Sequence, residues 1–367
     1  MKTTILRFVC AYGVALLLVD TCPAQVVAQK KLIGWSNEPN TAFLREHIAE
    51  MEATPFNGCV FHVDTKDANG ATDSFAWKCW SQKAFAKAEV QSAIDDLKAT
   101  PFKRFTSNFL RFNVCPGDVD WFDDFSPIVN NARLAAQIAH EGKAAGLLFD
   151  VEQYVKPPFS YRKQRDAATK SFEQYAAQAR LRGREVMQAF QDGYPNLHVL
   201  LTYGYCLSLV EARGAKNPAD TEYSLLAAFL DGMFNAATGS SKIIDGYEYS
   251  YGYKTAAQFD NTRKRVHGAE LFRVIGTDTA KVEQHLALGF GISPDNAWRT
   301  HGWDPVNVEK NYFTPESFEQ SVRLALDHTD EYVWIYTEKP RWWGADGKPQ
   351  DLPSAYDQAL RRALSSK

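Results

Sequence analysis

A single (β/α)8 TIM-like barrel is the fold class that this sequence predicts, and three observations carry the prediction. From residue 30 onward, short apolar runs alternate with helical patterns, the signature of repeated βα units around a parallel sheet. No internal linker rich in Gly, Pro or Ser divides the chain, so its 367 residues read as one large barrel rather than two average domains. The loop after the first strand is Ser-Asn-Glu-Pro-Asn, not a glycine-rich phosphate loop, which counts against an open doubly wound dinucleotide fold.

The elements follow in order. Residues 31–35 form the first strand and 41–53 the first helix; 58–63 is a second strand that stops at Asp64. After an aromatic loop with Trp77 and Trp80, residues 84–97 carry Ala, Val and Ile at helical spacing, and 106–112 is the third strand. Ser126-Pro127 opens a helix running to about Glu141, because proline suits the first helical position. Residues 147–151 make the fourth strand, 168–191 a long helix, 197–203 the fifth strand and 225–236 a helix. The sixth strand spans 243–249, with helix 256–267 behind it. For the seventh, residues 286–292 are preferred over 272–275. Thr314-Pro315-Glu316 is a cap, proline and acid at a helix start; that helix runs to about Asp327, 332–336 is the eighth strand, and 356–364 closes as a helix.

The first residues read as an address. Lys2 and Arg7 precede an apolar stretch at 8–19, and Val26-Val27-Ala28 is a plausible cleavage site, so residues 1–28 are expected to be a signal peptide and 29–367 the barrel. The apolar stretch is shorter than the ~20 residues that span a bilayer, no later segment is long enough, and Cys22 lacks the small residues of a lipoprotein site. The expected location is therefore secreted or periplasmic. Four cysteines then remain, Cys59, Cys79, Cys115 and Cys206, which permits two disulfides; a Cys79 to Cys115 bridge is one candidate. The net charge is only -3 and no Lys/Arg run follows a phosphate backbone, which argues against nucleic acid as a partner. Oligomeric state is not legible.

In a barrel of this kind reactive groups come from the carboxyl ends of the strands. The fourth strand ends in Asp150 and Glu152, the sixth in Glu248 and the eighth in Glu338. Alternation by two sends Leu148, Asp150 and Glu152 to one face and Phe149 and Val151 to the other, so both acids aim into the mouth. Neighbouring carboxylates raise one another's pKa, and burial adds to the effect. Glycosidic hydrolysis needs such a set: one carboxyl kept protonated to donate to the leaving oxygen, and one ionised to attack or to activate water. Asp150, Glu152 and Glu248 are accordingly the expected catalytic residues. For Glu338, Lys339 and Arg341 offer a structural ion pair instead.

Aromatic residues crowd the same ends: Trp35, Tyr203, Tyr205, Tyr249, Tyr251, Trp334, Tyr336, Trp342 and Trp343. Sugar rings stack their C–H faces on aromatic faces while their hydroxyls need polar groups, here Asn37, His62, Asn113 and Glu338. The pair Trp342-Trp343 on a loop after Pro340 is read as exposed, on the ground that two adjacent indoles are not both easily buried. No CxxC or HExxH pattern occurs and no cofactor is implied. A metal-dependent hydrolase using His62, Asp64 and Asp150 is an alternative, as is a barrel that binds carbohydrate without cutting it.

Residues 145–152, AGLLFDVE, resemble the strand-four motif D-G-x-D-x-D-x-E of chitinase-type glycoside hydrolases. The glycine, last Asp and Glu match, while Ala145 and Leu148 replace two acids. The resemblance implies a TIM barrel in which Glu152 donates the proton and Asp150 orients an acetamido group. The layout is also similar to α-glycosidase and galactosaminidase barrels with carboxylates on strands four and six, which implies Asp150 as nucleophile or base and Glu248 as donor. Residues 332–343, YVWIYTEKPRWW, resemble the closing strand of secreted glycosidase-like barrels. Together these readings lead to the expectation of a secreted glycoside hydrolase acting on a poly- or oligosaccharide.

Overall fold

Eight parallel strands close into a ring in the computed structural model, which describes residues 30–365. The strands are β1 (Lys31–Trp35), β2 (Gly58–Phe61), β3 (Phe109–Asn113), β4 (Gly146–Asp150), β5 (His198–Leu201), β6 (Lys242–Asp245), β7 (Leu286–Leu288 resuming as Phe290–Ile292) and β8 (Tyr332–Tyr336). Each pairs in parallel with its neighbour in sequence, and β8 pairs with β1 from Lys31↔Tyr332 to Trp35↔Tyr336. The expected signal segment, with Lys2, Arg7 and Cys22, lies outside the described residues. No helix among the described residues is long and apolar enough to cross a membrane.

The ring is completed at β7. Its first half pairs with β6 and its second with β8, with Gly289 between them. Asp330 clamps this seam: its carboxylate accepts the Leu288 N–H at 2.8 Å, and its own N–H donates to the Leu288 carbonyl at 2.9 Å. The competitor segment at 272–275 is not a strand; Leu271–Arg273 is a 3-10 turn outside the ring.

Side chains alternate as the period-two pattern requires. Ile33, Val60, Phe109, Leu148, Leu200, Ile244, Tyr332 and Trp334 fill the interior, while Phe149, Val199, Leu201 and Val333 pack outward against helices. The interior is a packed plug. Trp334 donates its indole N–H to the Gly246 carbonyl at 2.8 Å; Phe109 and Tyr332 meet edge to face with centroids 5.2 Å apart, and the Tyr332 hydroxyl bonds His198 Nδ1 at 2.8 Å.

Helices sheathe the ring. The long helix Phe172–Gly193, capped by Ser171 accepting from the Gln174 N–H, lies against Leu226–Ala236 through a pair of glycines. A Cβ on Gly183 would lie 1.9 Å from the Phe229 carbonyl oxygen, and one on Gly232 would lie 1.9 Å from that of Arg180. Only glycine allows the two backbones so close.

Cys59, Cys79, Cys115 and Cys206 are buried free thiols, so the two disulfides that these four permit are not formed. The Cys79 thiol donates instead to the Asn113 carbonyl at 3.2 Å, and that of Cys206 to Asp245 at 3.0 Å. Trp342 and Trp343 correct a second expectation, being 1% and 0% exposed. Adjacent indoles can both be buried when each N–H finds an acceptor: Trp342 donates to Asp357 at 3.2 Å and Trp343 to the Asn37 carbonyl at 2.7 Å, with Phe56 packed on both rings.

Candidate active site

Above the plug, the strand ends surround a cavity of about 660 Å³. Its wall is built from β4 outward. Asp150 returns to the inner face as alternation requires, but it is wholly buried and does not line the cavity. Its carboxylate accepts from Arg111 Nη2 at 2.8 Å, the Tyr154 hydroxyl at 3.0 Å, the Glu152 N–H at 3.1 Å and the Thr202 hydroxyl at 3.4 Å. Arg111 gives its other terminal nitrogen to Glu38 at 2.9 Å, and Trp35 Nε1 donates to the same Glu38 oxygen at 3.2 Å. Burial alone would weaken the Arg111 charge, but Glu38 and Asp150 hold the guanidinium firmly protonated. Three rings frame it, with centroids 5.3 Å (Trp35), 5.1 Å (Trp77) and 6.0 Å (Tyr154) away.

Glu152 lies in the cavity wall, and its carboxylate meets the Tyr154 hydroxyl in a short hydrogen bond. Burial first, then the charge of Asp150, pushes its pKa up, against the opposing pull of Tyr154 and Arg111. Tyr154 thus spans Asp150 and Glu152 with one hydroxyl, and a phenol has a single proton to donate.

Glu248 reaches the cavity by a different route from the one expected. β6 stops at Asp245, and Glu248 opens a 3-10 turn, Glu248–Ser250, beyond a left-handed Tyr247 at φ 47°. Buried Asp245 organises the turn by accepting the N–H groups of Gly204 at 3.1 Å, Cys206 at 3.0 Å and Tyr247 at 3.2 Å. The Glu248 pKa is pushed well above the ordinary carboxylate range by burial, then by the charges of Glu152 and Asp150; donation from the phenols of Tyr251 and Tyr203 opposes the rise without cancelling it.

The aromatic wall is formed by Trp35, Tyr251 and Tyr336. Tyr251 and Tyr336 are stacked at 5.4 Å, and Trp35 meets Tyr336 edge-on at 5.3 Å. Asn37 and Glu338 also line the cavity, Glu338 paired with Arg299 at 3.0 Å rather than with Lys339 or Arg341. Asp295, three residues past β7, is a loop clamp that accepts the N–H groups of Glu338 at 3.0 Å and Lys339 at 2.8 Å.

Other expected sugar contacts stand elsewhere. Trp334 belongs to the barrel plug, and Trp342 and Trp343 to the core outside it. Tyr205 is fully buried with its hydroxyl on Asp231 at 2.8 Å, and Asn113 is fully buried beside β4. Tyr249 is 40% exposed and packs on Tyr203, centroids 5.0 Å apart, outside the cavity lining. His62 sits behind the wall, 3.7 Å from Glu38 and 3.5 Å from Asp64. Asp150 is turned to Arg111 rather than to that pair, and no group of three His, Cys, Asp or Glu at metal-binding spacing occurs among the described residues.

Glu38, Arg111, Tyr154, Trp298, Arg299 and Arg341 line the cavity without having been expected there. Arg111 carried a legible signal, a cation inside the apolar strand Phe-Leu-Arg-Phe-Asn, since a charge in a buried strand requires a partner. Tyr154 and Glu38 lie on loops, where spacing says nothing about direction.

No protein-family model matches the chain, and no curated protein matches it. Among solved structures it is similar to a GH5-4 broad specificity endoglucanase from Bacteroides salanitronis, at 9% identity and a TM-score of 0.47 over 93% of this chain and 94% of that one. A Bacteroides ovatus GH5 xyloglucanase in complex with a XXXG heptasaccharide is similar at 11% identity and a TM-score of 0.45, over 92% and 75% of the two chains. A GH5-4 broad specificity endoglucanase from an uncultured bacterium follows at 13% identity and 0.44, over 88% and 85%.

Proposed function

We propose that this protein is a secreted glycoside hydrolase that cleaves an oligo- or polysaccharide, with Glu248 as general acid and Glu152 as its ionised partner. One observation carries the reading. Two carboxyl groups, one just past β4 and one on the turn past β6, line one polar and aromatic cavity, and their surroundings raise the pKa of both, that of Glu248 well above the ordinary range. That asymmetry is what acid and base roles require of two like groups.

In the reaction the Glu248 proton passes to the glycosidic oxygen as the bond from that oxygen to the anomeric carbon breaks. Glu152 either attacks the anomeric carbon or takes the proton of the attacking water. Charge builds on the sugar ring at this moment, and an anionic Glu152 beside it stabilises that charge. Asp150 is a positioning residue. Its carboxylate accepts from Arg111 and from Tyr154, whose hydroxyl also meets the Glu152 carboxylate and so ties the two acids together. Trp35, Tyr251 and Tyr336 offer ring faces for a sugar, and Asn37 a hydrogen-bonding edge.

The test is reducing-sugar release from a panel of bacterial, plant and animal polysaccharides by wild type, Glu152→Gln, Glu248→Gln and Asp150→Asn, each checked for folding. Wild-type release that drops ~100-fold or more in a folded Glu248→Gln or Glu152→Gln supports the assignment. Activity unchanged in both would remove these carboxylates from the chemistry. Sugar binding without turnover in wild type would favour a binding module.

A further inference from the structure

The cavity is not electrostatically uniform. On its β4 and β6 side stand Glu152 and Glu248; on the side formed by the loops after β7 and β8 stand Arg299 and Arg341, with Lys339 at the rim. Both carboxylates on that second side already have partners. Asp295 is held by backbone N–H groups, and Glu338 is matched by Arg299. Arg341 and Lys339 make no ion pair among the described residues. Lys339 instead rests 3.8 Å from the centre of the Trp298 ring, while Arg299 lies 4.7 Å from the same ring.

Arg341 is the better placed of the two. Its backbone is tied to Gln350 by hydrogen bonds of 2.8 and 2.9 Å, and its Nη1 donates to the Asn37 side chain, so one edge of the half-buried guanidinium is fixed. A guanidinium held this way keeps donors in a planar fork that matches a carboxylate or sulfate oxygen pair. With no protein anion to neutralise it, it is a preformed receptor for an anion brought by a ligand.

We propose that the β7–β8 side of the cavity is a subsite for an acidic sugar, whose carboxylate or sulfate docks on Arg341 while the sugar ring occupies the aromatic wall. This rests on the glycosidase reading and specifies its substrate class. Lys339, resting on the Trp298 ring, adds positive potential beside it, and the acidic group is placed away from Glu152 and Glu248, which would repel it.

The experiment is calorimetric titration of the full chain carrying Glu152→Gln, to block turnover, with tetramers of galacturonate, of sulfated galactose and of neutral galactose, alongside hydrolysis of the same three by wild type. At least one anionic tetramer is expected to bind ~10-fold or more tighter than the neutral one, with the advantage shrinking as salt rises. Which of the two binds distinguishes carboxylate from sulfate. Adding Arg341→Gln should bring the anionic-to-neutral ratio to near one, and Arg341→Lys should leave an intermediate ratio because the charge survives without the fork. Equal or tighter neutral binding, no binding of either anion, or a ratio that survives Arg341→Gln overturns the subsite. Wild-type cleavage of the neutral tetramer alone would overturn it while leaving the hydrolase intact. Anion binding without cleavage of any substrate would do the reverse.

Discussion

Replacing Glu248 with Gln removes a proton and little else. The amide has the shape of the acid, and its oxygen can still accept from Tyr251 and Tyr203, so the turn at Glu248–Ser250 should stand. Loss of a general acid typically lowers kcat about 10²- to 10⁴-fold, or about 2.7 to 5.5 kcal/mol of transition-state stabilisation. The loss should depend on the leaving group. On a polysaccharide the full effect is expected; on an activated aryl glycoside, whose phenolate departs without a proton, it should shrink to about tenfold or less. The alkaline limb of the wild-type pH profile should also vanish with the group that produces it. Stability should move the other way. The folded state holds the Glu248 proton at pH values where the unfolded chain has released it, so it binds more protons, and stability falls as pH rises from about 4.5 toward the folded pKa. Each unit between the two pKa values removes about 1.4 kcal/mol, and Gln escapes that loss. Thermal melts should therefore show Glu248→Gln more stable than wild type at pH 7, with the gap closing toward pH 4. Equal losses on both substrates, or an alkaline limb that persists, would refute the proton-donor assignment.

Arg111→Met should destabilise the fold by about 3 to 5 kcal/mol in urea unfolding, because it leaves Asp150 buried without its cation. Trp343→Ala should cost about 3 to 5 kcal/mol as a core truncation while leaving KM of the folded fraction unchanged, which separates its place behind Phe56 from a sugar contact. At Asp330 burial works against the charge, but hydrogen bonds from His267, the Leu288 N–H and Arg263 hold its pKa below the usual range. Its contribution is therefore present above about pH 4 and lost as pH falls toward the folded value. Asp330→Asn should melt lower than wild type at pH 7, with the difference narrowing in acid.

Much of the barrel was legible because its signals are periodic. β1 and β8 lie where short apolar runs put them; Thr314 caps its helix by accepting the Ser317 N–H, and Pro127 stands in the first turn of the helix that Ser126 opens. At β7, 286–292 was the right segment, although nothing in Leu-Ala-Leu-Gly-Phe-Gly-Ile announced that Gly289 would divide it between two neighbours. At the candidate site the sequence pattern reaches only as far as the strands do. Period two says which face Asp150 takes but not how deep it lies, and Arg111 and Thr202 seal it beneath the cavity floor; Glu152 lies just beyond the strand, which stops at Asp150. Glu248 lines the same cavity as Glu152, but from a 3-10 turn rather than a strand, since the strand stops at Asp245. Composition could not sort the aromatic residues either. Trp35 and Trp343 differ in what surrounds them, a tertiary fact: one faces the cavity, the other lies between Phe56 and Phe105.

The plug of Trp334, Tyr332 and Phe109 has a kinetic consequence. It floors the cavity from below, so on the proposed function substrate enters and products leave on the open side of the strand ends, where Trp298, Arg299 and Glu338 stand. A sugar chain cannot be threaded down the barrel axis. Whichever fragment is retained longer occupies the space the next substrate needs, so accumulating product should slow turnover as a competitive inhibitor.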